Sequence, residues 1–498
     1  MRVLLIQPPF TTRVVFKSKR PPMYEPLGLA YLAAAVREKG YDVAVLDCIA
    51  EAWWVQRPDG ELTRFGLPEP EIEREIGDFA PDLIGVTCQF TGFDKDCLDV
   101  ATLAKRALPN VPVVFGGADA TARADTFIQN PNIDVIVRGE GETPFLAILE
   151  HYARARKLPV HVPGTTVAGC VNPVADEIAD LDTVPMPARG LLPMKTYLED
   201  QKAIMPYAKR RPIGFMISSR GCPYNCIFCS TTKIWRKWRP RSPKCVVDEI
   251  ELLVNDYGCH EIAFQDDSFL ANPARVSTIC DEILRRSIDI SWTVPPGLTV
   301  PTVNEEVLCG MRAAGFYRAC FPIESGDPAM LAYIRKPIKL DRVRAIIEYC
   351  NQLGLWTYGN FIIGFPEQTP ESVEKTAEYA INSGLDMINV YVAQPYAGSD
   401  LYDVFQDLGL LDAPEADAST VFHTMYDTKH FTAEELRAKR DEIYRRFTRQ
   451  RIRRLFTPKG LNDLRRKTAT PENFAYAVRI FGTIARNSLK ARKMSLFG

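Results

Sequence analysis

Histidine is scarce in this sequence: five in 498 residues, too few and too scattered to offer an obvious acid–base pair. Excess charge of either sign is also missing. The net charge is −1, so there is no global basic surplus to hold nucleic acid by its phosphates and no acidic tail, and charge names no polymeric partner. The opening stretch Met1-Arg-Val-Leu-Leu-Ile-Gln-Pro-Pro9 is too short and too soon cut by proline for a signal core or a membrane span, and reads as a strand. The thirteen cysteines lack the even, dense spacing of a secreted scaffold and point to free thiols in a reducing cytosol. Cytoplasmic residence, with neither membrane nor nucleic acid as partner, is the expectation. The length allows two to four domains, each with its own core.

What is present is a cysteine loop, Ser219-Arg-Gly-Cys-Pro-Tyr-Asn-Cys-Ile-Phe-Cys-Ser-Thr231. Cys222, Cys226 and Cys229 are spaced C-x3-C-x2-C, and Gly221 and Pro223 force a turn, so three thiols can converge on one metal centre. Zinc usually takes four nitrogen or sulfur ligands in C-x2-C pairs, and no second pair or C-x2-C…H-x3-H partner lies nearby. Three cysteinates on a four-iron cubane leave one iron open to a small-molecule ligand.

Upstream, apolar strands alternate with helical stretches, the pattern of a parallel sheet with helices on both faces. Strands are expected at Val3–Ile6, Val43–Leu46, Leu83–Thr87, Val113–Phe115 and Val135–Val137, in a flavodoxin-like (Rossmann-like) order over residues 1–150. Ligands of such sheets bind outside the carboxyl ends of the strands. Pro8 and Pro9, Asp47, Gln89 and Phe90, Gly116 and Gly117, and Gly139, Glu140 and Gly141 fall there. Paired glycines let a bulky planar ligand or its tail approach the backbone; ordinary turn glycines are the alternative. Residues 151–205, with prolines at 159, 163, 173, 185, 187 and 193 and little periodicity, read as a surface connector.

From Ile213 strands and helices alternate at intervals of about 30 residues, as in a βα barrel, which gives a partial (β/α)6 barrel over residues 206–410. The cysteine loop follows the first barrel strand. Later exits carry Gln265-Asp266-Asp267, Glu324-Ser325-Gly326 and Ile362-Ile363-Gly364-Phe365-Pro366. Asp267 reads equally as a helix cap. The basic aromatic run Lys233–Arg241 reads either as a clamp on anionic oxygens or as a solvated helix start with two packing tryptophans, and Ile334-Arg-Lys-Pro337 reads either as a substrate-side feature or as structure, with Lys336 a surface charge in the second case. Residues 411–498 read as a C-terminal helical cap, helical after Asp412. Its basic stretch from Leu436 to Lys467 reads as a solvated helix face with i,i+4 acidic partners rather than a membrane or nucleic-acid surface.

The cysteine loop, with Phe228 before its last cysteine, resembles that of the radical S-adenosylmethionine (SAM) superfamily. Pro26-Leu-Gly28, Gly116-Gly117 and Arg138-Gly-Glu-Gly-Glu142 resemble the cobalamin-binding domain that precedes such a barrel. Together with Arg64-Phe-Gly-Leu67 and Thr87–Thr91, they make most of residues 1–410 similar to cobalamin-dependent radical SAM enzymes, nearest the class B methylases of phosphonate and other antibiotic pathways. The resemblance implies a [4Fe-4S] cluster on Cys222, Cys226 and Cys229. It implies SAM near Gln265, Asp266, Asp267, Glu324, Ser325, Ile362, Ile363 and Gly364, and cobalamin at the strand exits named above. It also implies an external electron donor such as flavodoxin or ferredoxin, and C-methylation of a small molecule through a 5′-deoxyadenosyl radical and methylcobalamin. A cobalamin-using cyclase is the rival within this chemistry, and a non-catalytic cobalamin or SAM sensor the rival outside it. The chain departs from the family pattern in having Gly117-Ala-Asp-Ala-Thr121, without histidine, and no D-x-H-x-x-G, so cobalamin is expected without an imidazole below cobalt.

Overall fold

The computed structural model describes residues 1–12, 21, 23–60, 62–199, 201, 204–411 and 426–494, with 483–494 as backbone only. Two parallel sheets dominate it. In the first, β1 (Arg2–Gln7) is followed by helix α1 (Leu27–Glu38), β2 (Asp42–Asp47), β3 (Leu83–Thr87), β4 (Val113–Gly116) and β5 (Val135–Val137). Their near-continuous apolar runs suit strands covered by helices on both faces. Val3 lies opposite Val43 on one side and Leu83 on the other, and the parallel strands take the order β5-β4-β3-β1-β2, which is the flavodoxin-like arrangement.

The segment read as a surface connector is built into the protein. Its β6 (Thr165–Val167) and β7 (Cys170–Val171) form a hairpin added antiparallel to β5. Ala188, Arg189, Met194 and Tyr197 in the same segment are buried. Its prolines break periodicity without pushing the chain outward, because hairpin pairing and 3₁₀ turns satisfy the backbone around them.

In the second sheet β8 (Ile213–Met216) leads into a two-stranded ribbon of β9 (Ser219–Arg220) and β10 (Arg239–Pro240). Then come β11 (Glu261–Phe264), β12 (Ser291–Thr293), β13 (Phe316–Glu324), β14 (Trp356–Ile363) and β15 (Met387–Val392). The order β8-β11-β12-β13-β14-β15 is sequential and parallel, a six-stranded partial barrel with two open edges. Leu27 and Tyr31 of α1 pack on Ile213, Phe215 and Ala263 and cover the β8 edge. The β15 edge is covered by α2 (Ala433–Leu455), whose Tyr444 hydroxyl accepts the Val390 N–H at 2.9 Å. Covering both edges removes unpaired strand groups from solvent.

Beyond α2 lie α3 (Pro458–Lys467) and α4 (Pro471–Met494). Lys467 ion-pairs with Asp386 just before β15, and Tyr476 stacks edge-on against Tyr317 and Trp356 at the starts of β13 and β14. These helices therefore close the amino-terminal floor of the barrel, opposite the cysteine loop. The cap over the mouth expected of them is not formed by the described residues, and 412–425, expected to be helical, lie outside those. Within the basic stretch Arg446 pairs with Glu442 and Glu374, whereas Arg451 reaches Asp386 and Arg454 reaches Asp463 as tertiary anchors. No helix among the described residues is long and apolar enough to cross a membrane.

Candidate active site at the barrel mouth

The cysteine loop leaves the carboxyl end of β8, where barrel catalytic groups collect. Gly221 has φ +84°, and a side chain there would run into the Lys237 carbonyl. Asp266, expected beside SAM, lies under the loop instead: fully buried, it accepts from the Ser218 N–H (2.8 Å), the Ser218 hydroxyl (2.7 Å) and the Ser219 hydroxyl (2.5 Å). Asp267 accepts from the Gly221 N–H at 3.2 Å. Its residue is exposed, yet the protein packed around its carboxyl raises it to about 6 by desolvation. Gln265 gives its N–H to the Met216 carbonyl and is half-buried at the same rim.

The far side of the loop is tied at Ile227, which donates its N–H to Ile334 and accepts from Leu401, and at Phe228, 6.1 Å from the Phe365 ring. The three cysteines are half-exposed. Desolvation raises the Cys222 thiol and pushes Cys226 up to about 11; Cys229 adds to both and Cys222 to Cys226, while Lys336 acts to lower both. Among the described residues no three acidic, histidine or cysteine side chains close on a single ion. An iron–sulfur cubane asks less, because each cysteine binds a different iron. Three partly exposed thiols on one anchored loop, beside a half-buried, ion-paired cation that favours thiolate, fit such a cluster.

Lys336, one of whose two readings is a surface charge, has only 14% of its side chain exposed and is ion-paired to Glu324 at 3.1 Å. Glu324 ends β13 with φ +67° at a register irregularity, a conformation that costs a non-glycine residue about 1–2 kcal/mol and collects at functional sites. Ser325 does not face the mouth: its hydroxyl meets Thr376 at 3.0 Å and accepts the Asp327 N–H. Ile362 packs with Phe228 and Phe365 beside the loop. Ile363 points into the core, and Gly364 gives its N–H to Gln368 with the Leu436 side chain filling the place of a Cβ.

The inner faces of β13 to β15 carry residues that sequence reading missed. Pro322, Tyr358, Asn360, Asn389 and Tyr391 are partly exposed, while the alternate Phe321, Phe361 and Val390 are core. Asn389 donates to Asn360 at 3.1 Å, and the Tyr358 hydroxyl donates to the Pro295 carbonyl at 2.8 Å. The signal was available: asparagines at paired positions in strands otherwise apolar. The basic run proves largely structural. Arg241 is buried against Glu249, and Arg239 pairs with Glu140 at 2.8 Å.

The carboxyl edge of the first sheet abuts the cysteine loop. Arg220, two residues before Cys222, pairs with Glu140 (3.1 Å) and Glu142 (2.6 Å); sequence reading passed over it and gave Glu140 to cobalamin. Asp47, also given to cobalamin, is fully buried, accepts the Ile49 and Ala50 N–H groups and bonds the Tyr197 hydroxyl. Gly117 lies against the Cys88 backbone rather than open space, and Asp119, where an imidazole is lacking, pairs with Arg123. Pro8 and Pro9 are buried, Gln89 and Phe90 stand exposed at the rim, and Gly116 has open space on its Cβ side as far as Val137 at 3.9 Å. Gly139 and Glu140, with Gly141 beside them, border a cavity of about 540 Å³ that Thr121, Lys233, Ile234 and Arg236 also line. A glycine-edged, polar cavity at the strand exits fits the tail of a large cofactor.

Residues 14–149 match the B12 binding domain and residues 216–380 the radical SAM superfamily. The chain is 34% identical over 442 residues to an uncharacterized methyltransferase of Pyrococcus horikoshii, covering 88% of this chain and 90% of that protein. It is 30% identical over 452 residues to cytidylyl-2-hydroxyethylphosphonate methyltransferase of Streptomyces wedmorensis, covering 83% of each. In fold it resembles the radical SAM methyltransferase TsrM of Kitasatospora setae, with a TM-score of 0.65 at 18% identity over 87% of this chain and 82% of that one.

Proposed function

Because the chain belongs to the cobalamin-dependent radical SAM methyltransferases, we propose that it methylates an unactivated carbon of a small-molecule biosynthetic intermediate. The observation that carries this reading is the abutment of the two half-sites: the exit of β5 meets the cysteine loop through Arg220, within hydrogen-bond distance. When bound, the cluster, SAM and cobalamin supply a carbon radical and a transferable methyl group. The chain holds them in line and excludes water.

In this reading Cys222, Cys226 and Cys229 ligate the cluster, and Asp266 stiffens the loop from below. Glu324, strained and charge-balanced by Lys336, and Ile362 border the SAM site with Gln265 and Asp267. The cavity beside Gly139 takes the cobalamin tail. Tyr358, Asn360, Asn389 and Tyr391 line the barrel interior and hold the substrate by hydrogen bonds. An electron donor such as flavodoxin or ferredoxin reduces the cluster, in a cytoplasmic setting.

The test is anaerobic reconstitution with iron, sulfide, cobalamin and methyl-labelled SAM, followed by mass analysis of candidate substrates. A labelled methyl on carbon, with 5′-deoxyadenosine formed alongside, is the expected result. Cys226→Ala should lose iron and stop 5′-deoxyadenosine formation; reductive SAM cleavage at the normal rate in that variant would overturn the assignment.

A further inference from the structure

The first domain grips the cysteine loop at Arg220. Arg220 has its side chain 10% exposed, with Nη1 on Glu140 at 3.1 Å and Nη2 on Glu142 at 2.6 Å. Its guanidinium lies 5.5 Å from the Tyr31 ring and 5.6 Å from the Trp235 ring, two aromatic contacts that add to its restraint. Its backbone pairs with Arg239, whose guanidinium also reaches Glu140. Glu140 is held independently by the Ile178 N–H at 2.7 Å. Cys222 follows two residues on, across the turn at Gly221.

Gly139, Glu140 and the start of the helix at Glu142 form one loop. On one side it borders the cavity read above as the cobalamin site; on the other it holds the loop whose thiols define the cluster. We propose that Arg220 is a positioning residue that couples the two sites. A ligand seated against Gly139 restrains Glu140 and Glu142, they restrain Arg220, and the cysteine loop is held in the geometry that presents the cluster to SAM. Cobalamin and SAM therefore favour each other's binding, by the same factor in both directions because coupling free energy is reciprocal.

This inference rests on the cobalamin and cluster reading of the full chain. The experiment is equilibrium binding of SAM to reconstituted, non-reduced protein with and without hydroxocobalamin, and the converse titration. In the wild type each ligand should tighten the other about tenfold. Glu142→Gln removes one carboxylate and leaves Glu140 in place, and Arg220→Lys keeps the charge but cannot grip both oxygens. Both should retain wild-type iron content and cobalamin occupancy while the coupling factor falls to about one. A tenfold factor surviving in both variants overturns the inference. So does loss of iron in the variants to the same extent with and without cobalamin, which marks the clamp as structural only. Independent binding in a wild type that holds both ligands overturns the inference alone, whereas a wild type that holds no cobalamin overturns the functional reading with it.

Discussion

A missing β-carbon serves different ends at Gly117 and Gly139. At Gly117, φ +107° and ψ 176° place the backbone where essentially only glycine goes. An added Cβ would also sit 2.6 Å from the Cys88 carbonyl oxygen, which already accepts from Asp119 and Ala120. The chain's own backbone demands this glycine. At Gly139, φ is +77° and the nearest atom to a Cβ is the Ile234 oxygen at 3.6 Å, on the wall of the cavity. Gly117→Ala should destabilise cobalamin-free protein by about 2–3 kcal/mol. Gly139→Ala should cost about 1–2 kcal/mol and show its larger effect as lost cobalamin occupancy. Denaturant midpoints of the cobalamin-free variants, set beside cobalamin content after reconstitution, give the ranking; the reverse order would move the cavity's ligand away from Gly139.

Among the elements, the exit of β2 shows how a strand end can look like a site and be a joint. Asp47 terminates β2, caps the short helix Cys48–Glu51 and meets Tyr197 from the linking segment. Burial raises its carboxyl from the ordinary value of 3.8 to about 6. A raised acid binds its proton more tightly folded than unfolded, so its contribution is most favourable below about pH 4 and is lost as pH rises to about 6, a swing of about 3 kcal/mol. Asp47→Asn keeps the capping oxygen and has no charge to bury. Relative to wild type it should gain stability from pH 4 to pH 6, then level off, with cobalamin occupancy unchanged; urea midpoints across that range check it. The order of β1 to β5 was legible because apolar runs bounded by turns specify parallel strands. The cysteine loop was legible because ligand spacing is local chemistry. The roles of Asp47, Asp266 and Glu140 were not, because position at a strand end does not say which way a carboxylate turns. Their partners Tyr197, Ser218 and Arg220 come from 150, 48 and 80 residues away. Lys336 stayed open between two readings for the same reason: whether a lysine faces inward depends on a glutamate in another element.

At the scale of the molecule the two domains share an interior. Arg189 of the linking segment, its side chain 1% exposed, joins Glu25 of the first domain (3.1 Å) to Glu249 of the barrel (2.7 Å), and the apolar cluster around Tyr31 and Phe215 continues the contact. Arg189→Met would leave two buried carboxylates with one arginine, Arg241, between them. Removing one partner of a buried pair costs about 3–5 kcal/mol, so the variant should unfold at markedly lower denaturant. Cluster absorbance and far-ultraviolet circular dichroism should be lost in one transition; separate transitions would show that the domains stand alone.

The floor of the barrel bears on traffic. Tyr476, Trp356 and Tyr317 stop its lower end, and α1 and α2 shut its flanks. Among the described residues the way in is then the mouth, bordered by the seam where the two sheets meet, in which the largest cofactor is read to sit. A room with one door, and its bulkiest occupant on the threshold, admits visitors in sequence: what lies deepest has to arrive first, and product leaves only past whatever stands at the entrance.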